Sequence, residues 1–487
     1  MNIFDVIYGV ITWTLVQVLG IVVEALEFCG FKINDRWEPG KKLQILFLAY
    51  SGARNTGAEV RVAECIDQVN QVLGEDNVDV NMTTLDIAEA KEYFKANKVN
   101  LHIMSTVFFG DVFKLCLKNH VIVLVEGSCW KENFATALLL YFLYGAGLAA
   151  KFKKPCFSYG VDAGTMNGFN NLLSRSLSKN MTRLIVRSGD SKKVLDSIGL
   201  KGSVVRVDTA WSLRADSLER GADILKERGW DGKSPLVGLA MQNFFWWPII
   251  PDFVRWLKRD KEYNYKLLYY YDYSEKDKQA YNKWKDTLAE YMDWLKEKYN
   301  AQLVVVAMEA LDDGACRELM SVMKNKAILI SCKEFVGVQM AAILRNLNIL
   351  TTTRYHAMVL SMPAAVPFVG LSRDERIRGV MRETGLYDDY YVDYSRPDLA
   401  EALRSRTSRL LEDKAEYARV SGVIKNNLPY YFAQMALLGL DIRNLIKESF
   451  PKISLKTIDE TNPSSLTPYF PAEMKQDVER EFVKLQK

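Results

Sequence analysis

Residues 348–370 read NILTTTRYHAMVLSMPAAVPFVG. An apolar run at 348–352 ends in three threonines. Arg354-Tyr355-His356 follows, then a short apolar helix and a second apolar run at 366–370. Strand, polar loop, helix and strand make the βαβ unit of a parallel sheet. Ligands bind such sheets beyond the C-terminal ends of the strands. The reading therefore puts an arginine, and one of only three histidines in the chain, where chemistry is expected.

The same alternation runs outward in both directions. Upstream, 236–241 (LVGLAM), 267–271 (LLYYY), 302–308 (QLVVVAM) and 327–331 (AILIS) read as strands separated by helices. An earlier series reads the same way: 43–50 (LQILFLAY), VNLHIMS, 121–127 (VIVLVEG), PCFSYGV and RLIVRS. Two comparable α/β halves imply two Rossmann-like domains facing a cleft. The expected division is 1–40 as a separate apolar helix, 41–212 as the first domain, 213–450 as the second with a helical end, and 451–487 as a loose tail. The loops leading from strands into helices are then 51–57, 126–131, 160–166, 187–191, 242–251 and 352–356.

Composition narrows the class. The 487 residues carry 64 basic and 60 acidic side chains, a net charge of +4, which gives no reason to expect a nucleic-acid partner. Seven cysteines are scattered singly with no CxxC pair, so a reducing compartment fits better than a disulfide framework. With so few histidines, no metal site is expected.

The uncharged stretch 6–23 (VIYGVITWTLVQVLGIVV) has no preceding basic residue, which argues against a signal peptide. On a helix, Asp5, Gly9, Thr12, Gly20, Glu24 and Glu27 form one polar or small stripe. Such a helix is open to four uses: lying in a bilayer interface, spanning the bilayer, capping the first domain, or forming the seam of a homo-oligomer. Lys32, Arg36, Lys41 and Lys42 follow, so the body is expected to be cytoplasmic, peripheral to or anchored at the inner face of the cell membrane. A second apolar stretch, MQNFFWWPIIPDFVRWL (241–257), offers Phe244, Phe245, Trp246 and Trp247 either as membrane or acceptor contacts or as a plug between the domains.

Candidate site residues come from the loops. In YSGARNTGAEVRVAE, Asn55 and Gly57 precede a helix, where backbone amides favour an anion. If that turn were only structural, Arg54 and Arg61 would be surface charges. Gly127 and Ser128 open the loop after another strand. Arg187 ends a strand, where a guanidinium suits a carboxylate or phosphate. Arg354 offers the same chemistry beside His356, an imidazole able to move a proton near neutral pH.

In this order the motifs resemble the polysaccharide pyruvyl transferase family. RYHAMVLSMPAAVPFVGL resembles its Arg-x-His-Ala segment with the following Val-Pro-Phe strand. SGARNTGAEVRVAE is similar to its Gly/Asn-rich first loop. VRSGDSKKVLDSIGLKGSVVRVDTAW is similar to its arginine–serine helix and strand ending in aspartate, here Asp208. SRDERIRGVMRETGL resembles the segment after the Val-Pro strand. The resemblance spans about 43–390 and implies a glycosyltransferase-B-like pair of domains. It also implies phosphoenolpyruvate as co-substrate with no cofactor, and a sugar diol as acceptor, on a lipid-linked or polymeric glycan. By position, Arg187, Arg354 and His356 take donor-binding and catalytic roles, with Tyr355 between the last two. Two arginines from opposite domains would clamp the donor, and His356 would supply a proton.

The chain departs from the family pattern at three places. Ala58 stands where the first loop usually carries aspartate, so Glu59 or Glu64 is expected to replace that carboxylate. Glu126-Gly127-Ser128 stands for a glycine triplet, and Arg376 for a lysine. These departures keep two alternatives open: group transfer from a nucleotide-linked donor, or a non-catalytic scaffold in glycan or lipid assembly.

Overall fold

A computed structural model of the chain describes residues 3–486. In the first half, β1 (Leu43–Leu48), β2 (Val78–Thr84), β3 (Asn100–Ile103), β4 (Val121–Leu124) and β5 (Cys156–Ser158) form a parallel sheet in the order β3-β2-β1-β4-β5. Leu43 pairs with Val78 on one side, and Ile45 with Val121 on the other. β1 shows no polar alternation because helices cover both faces of the sheet. Two short strands, β6 (Ile185–Val186) and β7 (Val204–Val205), pair with each other and join the sheet edge through single bridges at Phe157–Arg183 and Val161–Val186.

The second half starts with β8 (Leu236–Ala240). Next comes a small antiparallel sheet of β9 (Ile249–Pro251), β10 (Asn264–Lys266) and β11 (Tyr269–Tyr271). The remaining strands are β12 (Gln302–Ala307), β13 (Ile328–Ser331), β14 (Ile349–Thr352), β15 (Phe368–Ser372) and β16 (Tyr391–Asp393). With β8 they form a six-stranded parallel sheet in the order β13-β12-β8-β14-β15-β16. The strand expected at 267–271 thus lies outside the main sheet, because its tyrosines pack with the aromatic loop instead. β2 and β16 were not anticipated; VDVNMTT and YVDY interleave apolar with polar residues and lack the long apolar run that marks the other strands. Two Rossmann-like domains face each other across a cleft, in a glycosyltransferase-B-like arrangement.

The N-terminal helix, Ile3–Phe28, lies along the helices Thr136–Lys151 and Gly168–Ser178. Gly9, Thr12, Val16, Gly20 and Val23 are its buried residues. A Cβ at Gly9 would run into Phe169 and Leu173, and one at Gly20 into Lys151. The small stripe expected to meet a partner meets this chain's own body. The opposite stripe, including Ile3, Ile7, Val10, Val18 and Ile21, is exposed. This is the one described helix long and apolar enough to cross a membrane.

The helix Lys414–Ser449 crosses back to the first half. Gln68, on the helix Thr56–Leu73, donates through Nε2 to the Met435 carbonyl at 2.8 Å and to the Leu466 carbonyl at 2.7 Å. Residues 451–474, expected as a loose tail, lie against the same helix. The Lys456 amide donates to Leu73 O at 3.1 Å, and Gln71 Nε2 to Ser464 O at 2.9 Å. The helix Lys475–Gln486 then buries Val478 and Phe482.

Candidate functional site

The two halves are stitched together beside the cleft. The Thr56 amide donates to Met308 O at 2.9 Å, and the Ala310 amide to Arg54 O at 2.9 Å. Asn55 caps the helix Thr56–Leu73 through Oδ1, which accepts from the Ala58 amide at 3.2 Å. Gly57 then passes so close to the second half that a Cβ would overlap the His356 imidazole at Nδ1. Glycine is required here by contact with a side chain from the other domain.

Two cavities open at this seam. The first is lined by Asn55, Gly57, Ala58, Glu126 and Ser128 from the first half, and by Glu309, Arg354, Tyr355, His356 and Arg376 from the second; a large set of apolar side chains continues it. The second is lined by Asp162, Arg187, Ser188, Asp208, Tyr355, Arg376 and Tyr431, among others. Tyr355 and Arg376 border both. Each of the six strand-to-helix loops named from the sequence contributes to one cavity or the other.

Asp208 is the hub between them. It accepts from Arg61 Nε at 3.0 Å and from Arg187 Nη1, and its Oδ2 lies 3.5 Å from His356 Nε2. Burial alone would raise the Asp208 pKa; the guanidinium groups of Arg61 and Arg187 outweigh it and hold the carboxyl well below its ordinary range. Arg187 also donates to Asp162 at 3.0 Å, and Lys131 Nζ lies 2.6 Å from the same carboxylate. Arg61, a surface charge on the plainest reading of its loop, is fully buried. It also donates to the carbonyls of Val125 at 2.8 Å and Gly160 at 2.6 Å.

His356 has only 13% of its side chain exposed. Burial pushes its pKa down to about 4, against the opposing pull of Asp208. The free imidazole is therefore neutral at pH 7, and as a proton donor it must first accept a proton. Arg354 is fixed by carboxylates: Nε donates to Asp312 at 2.8 Å, and Nη2 to Glu309 at 2.9 Å and to Asp312.

Arg187 lines the second cavity and Arg354 the first, with Tyr355 between them. The cation that faces Arg187 across the domain seam is Arg376. Their guanidinium carbons lie 4.9 Å and 5.4 Å from the Tyr355 ring centroid, and Asp374 holds Arg376 in place. Gly127 leaves room for Arg187, whose Nη1 would lie 3.1 Å from a Cβ there. Ser128 is buried on the wall of the first cavity.

The carboxylates expected to stand in for the missing aspartate point elsewhere. Glu59 accepts from the Gly52 amide at 2.7 Å and lines neither cavity; burial pushes its pKa up to about 8. Glu64 accepts from Ser212 Oγ at 2.6 Å, also away from both. Glu126 and Glu309 are the carboxylates that line the first cavity together with Ala58. In Glu126, one oxygen accepts from the Gly127 amide at 2.7 Å, the other is buried without a hydrogen-bond partner, and burial raises its pKa. Glu126 and Glu309 both directly follow apolar strands, at the ends where ligands bind; that position was the available signal for each.

Of the four aromatics offered as membrane or acceptor contacts or as a plug, Phe244 is buried and Phe245, Trp246 and Trp247 are half-buried. Phe244 is buried against Trp284 and Tyr394, and Phe245 stacks on Phe244. Trp246 stacks on Tyr271, and Trp247 meets Phe134 edge-on and lines the first cavity. The exposed apolar residues come after them, at Phe253, Val254, Trp256 and Leu257.

Comparison with known proteins fits the fold. Anabaena Alr3699/HepE, solved with UDP and glucose, superposes over 83% of this chain and 100% of its own at a TM-score of 0.54 and 11% identity. A putative UDP-N-acetylglucosamine 2-epimerase from Listeria monocytogenes superposes over 86% of this chain and 100% of its own, at a TM-score of 0.53 and 12% identity. At such identities the likeness concerns the fold alone. A search of curated protein sequences finds no match. The polysaccharide pyruvyl transferase family profile matches residues 55–375, from the capping asparagine through His356 to Glu375, one residue before Arg376. The chain belongs to the polysaccharide pyruvyl transferase family.

Proposed function

We propose that this chain transfers the pyruvyl group of phosphoenolpyruvate to two hydroxyls of a sugar, forming a ketal where the two cavities meet. The family assignment supports the reaction class. The observation that carries the reading is the position of His356, between Asp208 and Gly57 beside the two residues common to both cavities. Arg187 and Arg376, from opposite domains over one tyrosine ring, suit the carboxylate and phosphate of the donor. Holding donor and diol together supplies much of the rate.

The proton balance assigns the remaining groups. The enol carbon gains a proton and becomes a methyl group, and the central carbon becomes electrophilic. One hydroxyl attacks it, phosphate leaves, and the second hydroxyl closes the ring. Two hydroxyl protons are released; one ends on the methyl carbon and the other on phosphate. Neutral His356 is suited to accept a hydroxyl proton and pass it on. Glu126, a lining residue of the first cavity with one buried unpaired oxygen, is the carboxylate assigned to the place left by Ala58. Arg354, tied to Glu309 and Asp312, shapes the wall near His356.

The test is phosphate release from phosphoenolpyruvate in the presence of a native membrane extract as acceptor source. His356→Ala and Arg187→Ala are expected to lose at least about 100-fold in rate with circular dichroism unchanged. Full activity in both variants would refute the site. The structural likeness to a protein solved with UDP, together with Ala58, favours one competing reading, transfer from a nucleotide-linked donor. Thermal stabilisation by a nucleotide sugar, and none by phosphoenolpyruvate, would select it. We read the exposed stripe of the N-terminal helix as a peripheral contact with the bilayer.

A further inference from the structure

The first cavity has two kinds of wall. Glu126, Ser128, Arg354 and His356 form its polar end. Phe108, Leu138, Tyr141, Ile249 and Tyr269 line an apolar arm. The arm reaches the N-terminal helix: the Tyr8 ring lies 6.1 Å from Phe108, Tyr8 borders Tyr269, and Asp5 borders Thr136 beside the lining residues Ala135 and Ala137. Half-exposed apolar side chains flank the lining: Ile103 and Val107 on either side of Met104–Ser105–Thr106, and Leu267 after Lys266.

Two of the arm's tyrosine hydroxyls are already engaged: Tyr141 Oη pairs with Thr83 Oγ1 at 2.6 Å, and Tyr265 with Tyr50. A sugar polymer threading this arm would meet few partners for its hydroxyls, at a cost of about 1–3 kcal/mol per stranded hydroxyl. A hydrocarbon chain loses nothing there and gains burial.

We propose that the apolar arm binds a single hydrocarbon chain attached to the acceptor sugar, with the sugar at the Glu126–His356 end. The acceptor is then a lipid-linked sugar, not a free polysaccharide. The choice of acceptor rests on the transferase reading; binding of the chain itself requires no donor.

The test uses the full chain without donor. Glucose and its octyl, decyl and dodecyl glucosides are titrated by calorimetry below their micelle concentrations. Affinity is expected to tighten by about fourfold per added methylene until the arm is full, with glucose binding too weakly to measure. Ala137→Trp is expected to bring that plateau to a shorter chain. Ile7→Asp with Ile11→Asp, on the outer face of the N-terminal helix, is expected to leave the series unchanged. A brominated dodecyl chain gives a reading independent of the narrowing variant: it should quench tryptophan fluorescence, and Trp247→Phe should remove that quenching. Equal affinity for all chain lengths, loss of the series in the helix-face variant, or quenching unaffected by Trp247→Phe would overturn the proposal. Chain-length dependence without phosphate release from phosphoenolpyruvate would keep the arm and reject the donor.

Discussion

Asp208 shows how much one side chain holds together. It neutralises two fully buried guanidinium groups and faces the imidazole. Asp208→Asn leaves buried positive charge uncompensated, so a loss of about 3–5 kcal/mol of stability is expected; a denaturant midpoint equivalent to less than about 1 kcal/mol would show the pairs to be dispensable. Glu64 gives a pH signature. Burial pushes its pKa up to about 8, far above an unfolded glutamate. Between those values the folded state holds a proton that the unfolded state releases, so Glu64 lowers stability as pH rises. His356, depressed to about 4, acts in the opposite sense, but only below about 6.5. From pH 6.5 to 8 the Glu64 effect stands clear of it. Glu59, also pushed up to about 8, acts in the same sense, so Glu64→Gln is expected to make the fall in melting temperature over that interval shallower without abolishing it; an unchanged slope would mean that this carboxyl is already ionised.

Among the elements, the N-terminal helix makes the sharpest separation between its two faces. Its glycines sit where any side chain would strike Phe169, Leu173 or Lys151. Gly9→Leu is therefore expected to dislodge the helix and lower the melting temperature. Val10→Asp, on the exposed stripe, should leave melting unchanged and weaken sedimentation with anionic vesicles. Equal vesicle binding by that variant would remove the helix from the membrane contact. Gly57 plays the comparable part in the cleft. Gly57→Ala is expected to displace His356 and reduce turnover more than it reduces stability, and an alanine variant with normal turnover would show that the overlap is harmless.

At the scale of the whole molecule, the halves are not independent. Backbone bonds join 54–56 to 308–310, Arg206 Nε donates to Asp441 at 2.7 Å, and the helix Lys414–Ser449 rests on the helix Thr56–Leu73. A single calorimetric unfolding transition is expected, and removal of residues 451–487 should lower it by uncovering Gln68 and Gln71. Two separated transitions in the intact chain would show that the seam carries little energy.

Local pattern determined a good deal of this. Apolar runs and strand-to-helix loops indicated the two sheets, the cleft and all six loops that line the cavities, because backbone periodicity and the direction of parallel strands are properties of short segments. Arg187, Arg354 and His356 were legible at strand ends for the same reason. Tertiary structure alone decided which groups meet. It set Arg376 opposite Arg187, turned Glu126 into the cavity in place of Glu59, buried Arg61 under Asp208, and folded Trp246 and Trp247 inward. Those pairings join residues tens to hundreds of positions apart, where charge compensation and close packing, not local propensity, select the partner.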